Sequence, residues 1–217
     1  MASAATQHDL LTRLRDEIRR IERRPARRHG VLPCGLPAVD ALLPGGFPCG
    51  ALSELRGGPA SGKTAVALSL VAGLAPGALA AWVDGRGELY PPAAAARGVD
   101  LSRLLIVRPP GGEEGVRLGL WAAEALLGSG AFAVVALDVP IARQVRGADV
   151  ALRRLVKAAE QGGTVGLWLA APGAALRPPA VLRLELRTEG RRLVAVRADG
   201  AAGPARTGGG RGDVHAA

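Results

Sequence analysis

One segment has the residue types and spacing of a nucleotide-phosphate-binding loop. It matches the pattern G-x-x-x-x-G-K-[ST] in full and consists of Gly57, Gly58, Pro59, Ala60, Ser61, Gly62, Lys63 and Thr64. In such a loop the glycines let backbone N–H groups surround a phosphate chain. The lysine brings positive charge to the terminal phosphates, and the threonine hydroxyl can ligate Mg²⁺. Lys63 and Lys157 are the only lysines among 28 basic residues, so composition does not explain a lysine here.

The residues on both sides of the loop predict the elements that must position it. Residues 50–55 form a short apolar segment after a Pro/Gly turn, which predicts a strand. Residues 65–72 are apolar on most faces, as expected of a helix buried against a sheet. A helix beginning at the loop adds its own attraction for phosphate. The alternative is a glycine-rich turn between two core elements.

A second acidic site is predicted at Asp138. It ends the apolar run 132–138, and a buried strand of this kind delivers one carboxylate to the Mg²⁺ region opposite Thr64. The alternative is an acid that caps the turn after the strand. The sequence thus predicts ATP bound at residues 57–64, with Thr64 and Asp138 as ligands of Mg²⁺.

Strands and helices alternate through the middle of the chain, which predicts an α/β fold with a mostly parallel sheet. Further strands are expected at 80–84, 104–107 and 164–169, and an antiparallel hairpin at 181–187 and 192–197. Helices are expected at 37–43, 91–97, 113–127 and 150–161.

Three regions are expected: residues 1–30, 31–197 and 198–217. The first contains an amphipathic helix at 8–24 and a basic linker, the second is the core, and the third is a disordered Gly/Ala/Arg tail. The leucine stripe of the helix fits a partner surface or the chain's own core equally well.

Composition bounds the environment and the partners. The net charge of +9 favours contact with polyanions, nucleic acid above all, although a compositional bias towards arginine gives the same number. No apolar run is long enough to span a membrane, and the N-terminus lacks a signal-peptide pattern. The two cysteines, Cys34 and Cys49, are not in a C-x-x-C pair and are expected to be reduced thiols. Together these features predict a cytoplasmic protein without a membrane partner.

Segments around the loop resemble the core of RecA-type recombinases. They are residues 34–40 and 45–55 before it, and 82–84, 89–91 and 98–105 after it; the likeness extends from Val31 to Arg197. The short length and the arginine-rich N-terminal helix are most similar to the ImuA family, RecA-like accessory proteins of mutagenic lesion bypass in bacteria. The resemblance implies a RecA-like P-loop NTPase core that binds ATP and Mg²⁺. The partners it implies are RecA, an inactive Y-family polymerase-like protein of the ImuB type, and an error-prone DnaE-type polymerase complex.

Several positions depart from the RecA pattern. Arg86 stands where that family has the glutamate that orients the attacking water, and a guanidinium cannot accept a proton from water. Glu88 is a substitute base if the loop shifts. Ala93 replaces the aromatic residue that stacks on adenine, and Tyr90 is the nearby ring that can replace it.

The parts that couple nucleotide to DNA are also reduced. Residues 169–172 lack the polar sensor side chain, and the two DNA-binding loops are shortened, to about 141–149 and 173–178. Arg197 ends the last strand about where RecA proteins present cations to the nucleotide of a neighbouring protomer.

The resemblance, together with these departures from it, implies one expected function and leaves two alternatives. The first is an accessory protein of SOS-induced damage tolerance (error-prone translesion synthesis) that binds ATP with weak or no hydrolysis. The second is a DNA-stimulated ATPase of recombination or repair. The third is a plain DNA-binding module that uses the arginines of residues 19–28 and 206–211.

Overall fold

A computed structural model describes residues 30–141, 147–172, 174, 178–190, 192–198 and 214–215 of the 217-residue chain. Its strands are β1 (Val31–Leu32), β2 (Phe47–Pro48), β3 (Ala51–Arg56), β4 (Leu79–Asp84), β5 (Leu104–Val107), β6 (Phe132–Asp138), β7 (Val165–Ala170), β8 (Leu182–Glu189), β9 (Arg192–Arg197) and β10 (Val214–His215). Its α-helices are α1 (Pro37–Asp40), α2 (Lys63–Ala72), α3 (Pro91–Ala96), α4 (Gly112–Ser129) and α5 (Ala148–Gly162), with a 3₁₀ turn at Leu101–Arg103.

The main sheet has eight strands in the order β10-β9-β8-β3-β7-β6-β4-β5. Strands β8, β3, β7, β6, β4 and β5 run parallel to one another, and β9 and β10 are antiparallel to their neighbours. Strands β1 and β2 form a separate two-stranded antiparallel sheet. The parallel order places the carboxyl ends of β3, β7, β6 and β4 side by side at one edge of the sheet, which is where open α/β sheets bind ligands.

Both faces of the sheet are covered, as a parallel sheet requires. On one face, α2 packs its buried residues, including Val66 and Leu70, against strand residues such as Leu55 and Trp82. On the other face, α4 and α5 contribute Leu120, Leu127 and Leu155 to a second cluster. The loop after β3 is therefore fixed between a buried strand and a buried helix.

The predicted α/β fold, its mostly parallel sheet and its C-terminal antiparallel hairpin are confirmed. Helix α1 is shorter than the predicted 37–43 helix, since the chain turns after Asp40 towards Pro44. The amphipathic helix predicted at 8–24 lies outside the described residues. The limits of the three regions stay predictions, and β10 lies within the predicted tail. Among the described helices, none has the length and apolar character needed to cross a bilayer.

Candidate nucleotide-binding site

The predicted phosphate loop lies at the carboxyl end of β3 and leads directly into α2. The Gly57 N–H donates to the carbonyl oxygen of Ala170 at the end of β7, 3.2 Å away, which ties the loop to the neighbouring strand. Ala60 and Gly62 have positive φ angles of 55° and 91°. Only glycine adopts such angles without cost, so Ala60 holds some backbone strain in the loop. The predicted strand–loop–helix context is therefore present.

Lys63 holds the loop together from within. Its Nζ donates to the carbonyl oxygens of Gly57 at 2.6 Å and Gly58 at 2.8 Å, and to Ser61 Oγ at 3.1 Å. Burial lowers the pKa of Lys63, while the negative charges of Asp138 and Glu88 act against that shift. An incoming phosphate offers stronger, charged acceptors than these three neutral oxygens, so the ammonium is placed to exchange them for phosphate oxygens.

A pocket of about 360 Å³ opens beside the loop and brings several predicted residues together. The loop and α2 form one side of it. The segment after β4 forms the other, through Glu88, Tyr90, Ala93 and Arg97. Tyr90 is 66% exposed, so its ring is free to move against a bound base. The roles predicted for Tyr90 and for Glu88 as a substitute base stay predictions.

Asp138 lies at the end of β6 and is paired with Arg86. Arg86 Nε donates to Asp138 Oδ1 at 2.7 Å, and the two side chains are 32% and 13% exposed. Burial raises the pKa of Asp138 from its ordinary value, and the bond from Arg86 opposes that rise. Arg86, which stands where the RecA pattern has a glutamate, thus contacts the residue predicted as the second acidic site.

A fixed turn carries Arg86. The buried carboxylate of Asp84 accepts hydrogen bonds from the backbone N–H groups of Glu88 at 3.0 Å and Leu89 at 3.2 Å, and from Arg108 Nε at 3.0 Å. The Gly85 N–H donates to the Asp138 carbonyl oxygen at 2.9 Å. Hydrogen bonds therefore attach the segment 84–89 to Arg108, just after β5, and to Asp138, at the end of β6.

The predicted ligands of Mg²⁺ are Thr64, in the first turn of α2, and Asp138, at the end of β6. Arg86 Nε donates to Asp138 Oδ1, so a Mg²⁺ ion bound to this carboxylate would share it with a guanidinium. A Mg²⁺ ion between Thr64 and Asp138 would also lie close to a positive charge that repels it. Arg86 therefore competes with Mg²⁺ for Asp138, and the metal role of Thr64 and Asp138 stays a prediction.

A second cavity has a volume of about 300 Å³, and Arg86 is one of its lining residues. Its other lining residues are apolar and come from the segment after β6, from the end of β7 and from the segment after β7, among them Ile141, Leu169 and Ala171. The absence of a polar sensor at 169–172 thus leaves an apolar wall. Residues 142–146, 173 and 175–177, on which the two shortened DNA-binding loops were predicted, lie outside the described residues.

Two further arginines of the site were not found from the sequence. Arg108 binds Asp84 and also donates to the Leu89 carbonyl oxygen at 2.8 Å, and Arg97 lines the pocket. Arg108 had a usable signal, because it directly follows the strand predicted at 104–107, and the carboxyl ends of parallel strands are where such sheets bind ligands. Arg97 had none, because it ends a short helix whose direction depends on the tertiary fold.

Comparison with known proteins agrees with the resemblance to RecA seen in the sequence. A family model described as the RecA N-terminal domain matches residues 15–157. The Protein RecA of Lactobacillus delbrueckii subsp. bulgaricus is 40% identical over 109 residues, which are 49% of this chain and 32% of that protein. The Protein RecA of Salinispora tropica is 39% identical over 123 residues, 56% of this chain and 34% of that protein. The Protein RecA of Bifidobacterium breve is 33% identical over 169 residues, which are 69% of this chain and 42% of that protein. The chain thus spans between a third and about two fifths of the length of these relatives.

Proposed function

The chain belongs to the RecA N-terminal domain family, and from that premise we propose that it is an ATP-binding accessory protein in DNA-damage tolerance, with weak or no hydrolysis. It contacts RecA, an ImuB-type polymerase-like partner, or both, and so assists an error-prone DnaE-type polymerase in SOS-induced translesion synthesis. One observation carries the proposal: the phosphate loop is complete, while the residue in the catalytic-glutamate position is an arginine bound to Asp138.

Binding without efficient hydrolysis follows from the chemistry of these side chains. Lys63 and the N-terminus of α2 attract phosphate whether or not a water molecule is activated. Activation needs a group that accepts a proton near the terminal phosphate, and Arg86 cannot accept one. Glu88 lines the same pocket and is the residue that would carry slow turnover.

The nucleotide part of the proposal is tested with Lys63→Ala. Binding of a fluorescent ATP analogue should weaken at least about tenfold, because one charge-assisted phosphate contact is lost. Lys157→Ala is the matched control, since Lys157 is the other lysine and is exposed on α5. If Lys63→Ala binds the ATP analogue as tightly as the wild type does, this pocket is not the nucleotide-binding site.

The DNA-stimulated ATPase of recombination or repair is the second candidate, and Glu88 in the pocket is the observation that favours it. Steady-state ATP turnover, measured with and without single-stranded DNA, separates the two candidates. Turnover that Lys63→Ala abolishes would establish the enzyme. If the rate of ATP hydrolysis equals that measured without protein, both with and without single-stranded DNA, the accessory-protein function is supported.

The adaptor part is tested by co-purification with RecA, the ImuB-type partner and the DnaE-type polymerase. Retention of a partner that is lost when residues 8–24 are deleted would identify that segment as the docking element. If none of the three is retained by the full chain, the adaptor role is excluded.

A further inference from the structure

One arginine of the pocket beside the phosphate loop has no partner of its own. Arg97 lines this pocket and is exposed to solvent. Within the part of the chain that the structure describes, its guanidinium makes no hydrogen bond or ion pair, whereas Arg86 and Arg108 are each held by a carboxylate. Arg97 therefore keeps both its net charge and its planar face for a ligand.

Arg97 belongs to the end of the pocket that is away from the phosphate loop. A Cβ added at Gly98, the next residue, would lie 3.9 Å from Ala72 Cβ, so the chain here runs beside the last residue of α2. Ala72 is nine residues beyond Lys63, a distance of about 13 Å along the helix axis. A triphosphate held at Lys63 fills the near end, so the nucleoside of the same molecule reaches the far end.

The far end has the form of a slot for a flat group. Tyr90, Ala93 and Arg97 have the spacing i, i+3, i+7 over α3 and its two flanking residues, and all three line the pocket. Because the Ala93 side chain is a single methyl group, it leaves room between the phenol ring and the guanidinium. On the side of the pocket formed by α2, Ala65 and Leu68 supply an apolar wall.

We propose that Arg97 is a base-contacting residue, whose guanidinium stacks on the base of a bound purine nucleoside triphosphate. The base lies over Ala93, with the Tyr90 ring on its other side. Guanidinium planes and aromatic rings both stack on the faces of bases, and a purine offers a larger face than a pyrimidine. The inference rests on the proposed function, because it concerns how the same pocket holds its nucleotide.

Isothermal titration calorimetry of the full chain with ATP, UTP and inorganic tripolyphosphate tests this contact. The wild type should bind ATP at least about threefold more tightly than UTP, because the purine fills the slot better. Arg97→Ala should weaken ATP binding about five- to tenfold and change tripolyphosphate binding by less than about twofold. Lys63→Ala should weaken the binding of all three ligands, since all three share the phosphate chain.

Arg117→Ala is the matched control for loss of an arginine. Arg117 is 60% exposed and pairs with Glu114 on α4, which packs on the opposite face of the sheet from α2. This variant should keep all three affinities within about twofold of the wild type. Circular dichroism establishes that each variant is folded.

Tyr90 gives a direct readout of where the base lies, because it is the only tyrosine of the chain. In protein with isotope-labelled tyrosine, the NMR signals of its ring should move when ATP is added and stay in place when tripolyphosphate is added. Ring signals that stay in place at saturating ATP would show that the base lies elsewhere, and the inference would be wrong.

The remaining outcomes separate the inference from the proposed function. If Arg97→Ala weakens ATP and tripolyphosphate binding by the same factor, the guanidinium acts on phosphate, so the inference is wrong while the proposed function stands. The same conclusion follows if Arg97→Ala binds ATP as tightly as the wild type, or if the wild type binds ATP and UTP equally. If the wild type binds neither ATP nor tripolyphosphate, the proposed function fails and the inference fails with it.

Discussion

Two carboxylates at neighbouring strand ends have different surroundings and different tasks. Asp84 is buried and fully used by Arg108 and two backbone N–H groups, so it holds the turn after β4. Asp138 lies at the end of β6 and is paired with Arg86. The first carboxylate therefore holds a turn in place, and the second is the counter-charge of Arg86.

Asp84→Asn should lower the free energy of unfolding by about 2–4 kcal/mol, because an amide loses the charge that matches Arg108 and turns a donor towards other donors. Urea unfolding at neutral pH measures the change. Asp149→Asn is the control, since Asp149 is 62% exposed and pairs with Arg153 in solvent. That substitution should cost under about 1 kcal/mol. Equal effects of the two substitutions would contradict the structural role of Asp84.

The pocket also depends on how the helices and turns around the sheet fit together. Helices α4 and α5 cover one face of the sheet, and they approach each other closely at their C-terminal ends. A Cβ added at Gly162 would collide with the Leu127 carbonyl oxygen and lie 3.1 Å from the Gly130 nitrogen. One added at Gly128, at the same interface, would lie 3.7 Å from Ala158 Cβ, which is ordinary contact.

Gly162→Ala should therefore destabilise the protein by about 1–3 kcal/mol, since backbone atoms must move apart. Gly128→Ala, within α4, should instead stabilise it by up to about 1 kcal/mol through its better helix propensity. Thermal unfolding of the two variants provides the comparison. Two shifts of the same sign would show that the close approach of α4 and α5 is not what limits residue size.

The turn at Leu101–Arg103 begins at an Asp100 cap, and its contribution should depend on pH. The pKa of Asp100 is lowered from 3.8, first by the Ser102 hydroxyl and then by Arg103. Because the pKa is lower in the folded state than in the unfolded state, the ionised carboxylate stabilises the fold at pH values above its unfolded-state pKa. This stabilisation is lost as the pH falls through its folded-state pKa. Asp100→Asn should thus be less stable than the wild type at pH 7, and the difference should shrink below pH about 4. Urea midpoints at several pH values measure this; a constant difference would contradict it.

The whole molecule carries a net charge of +9, which concerns its partners more than its fold. The basic segments predicted to bind DNA, 19–28 and 206–211, lie outside the described residues. Whatever their structure, contacts between their arginines and phosphates release counterions.

Affinity for single-stranded DNA should accordingly fall linearly with salt on logarithmic axes, with a slope of about −0.7 per phosphate neutralised. Full-length chains with glutamine at the arginines of the two segments should bind more weakly and show a shallower slope. The substituted arginines are Arg19, Arg20, Arg23, Arg24, Arg27, Arg28, Arg206 and Arg211. Fluorescence anisotropy measures both quantities. A slope that does not change would locate the DNA contact in the core.

The sequence by itself determined the local parts of this protein. The phosphate-loop pattern lies in eight consecutive residues, 57–64, so it can be recognised from the sequence alone. The apolar segments on both sides of it predict the buried strand and the buried helix. Arg86 was recognisable as a departure from the RecA pattern for the same reason, since its meaning lies in its position along the chain. Each of these inferences uses residues that are close in sequence.

Only the tertiary structure decided which distant side chains meet. The pairing of β4 with β6 sets Asp84 level with Asp138, and this brings Arg86 onto a carboxylate 52 residues away. The same edge joins Arg108 to Asp84, and the end of β7 to the phosphate loop. Strand order and register fix these contacts, because parallel neighbours align their carboxyl ends. Spacing along the sequence carries no information about which strands become neighbours.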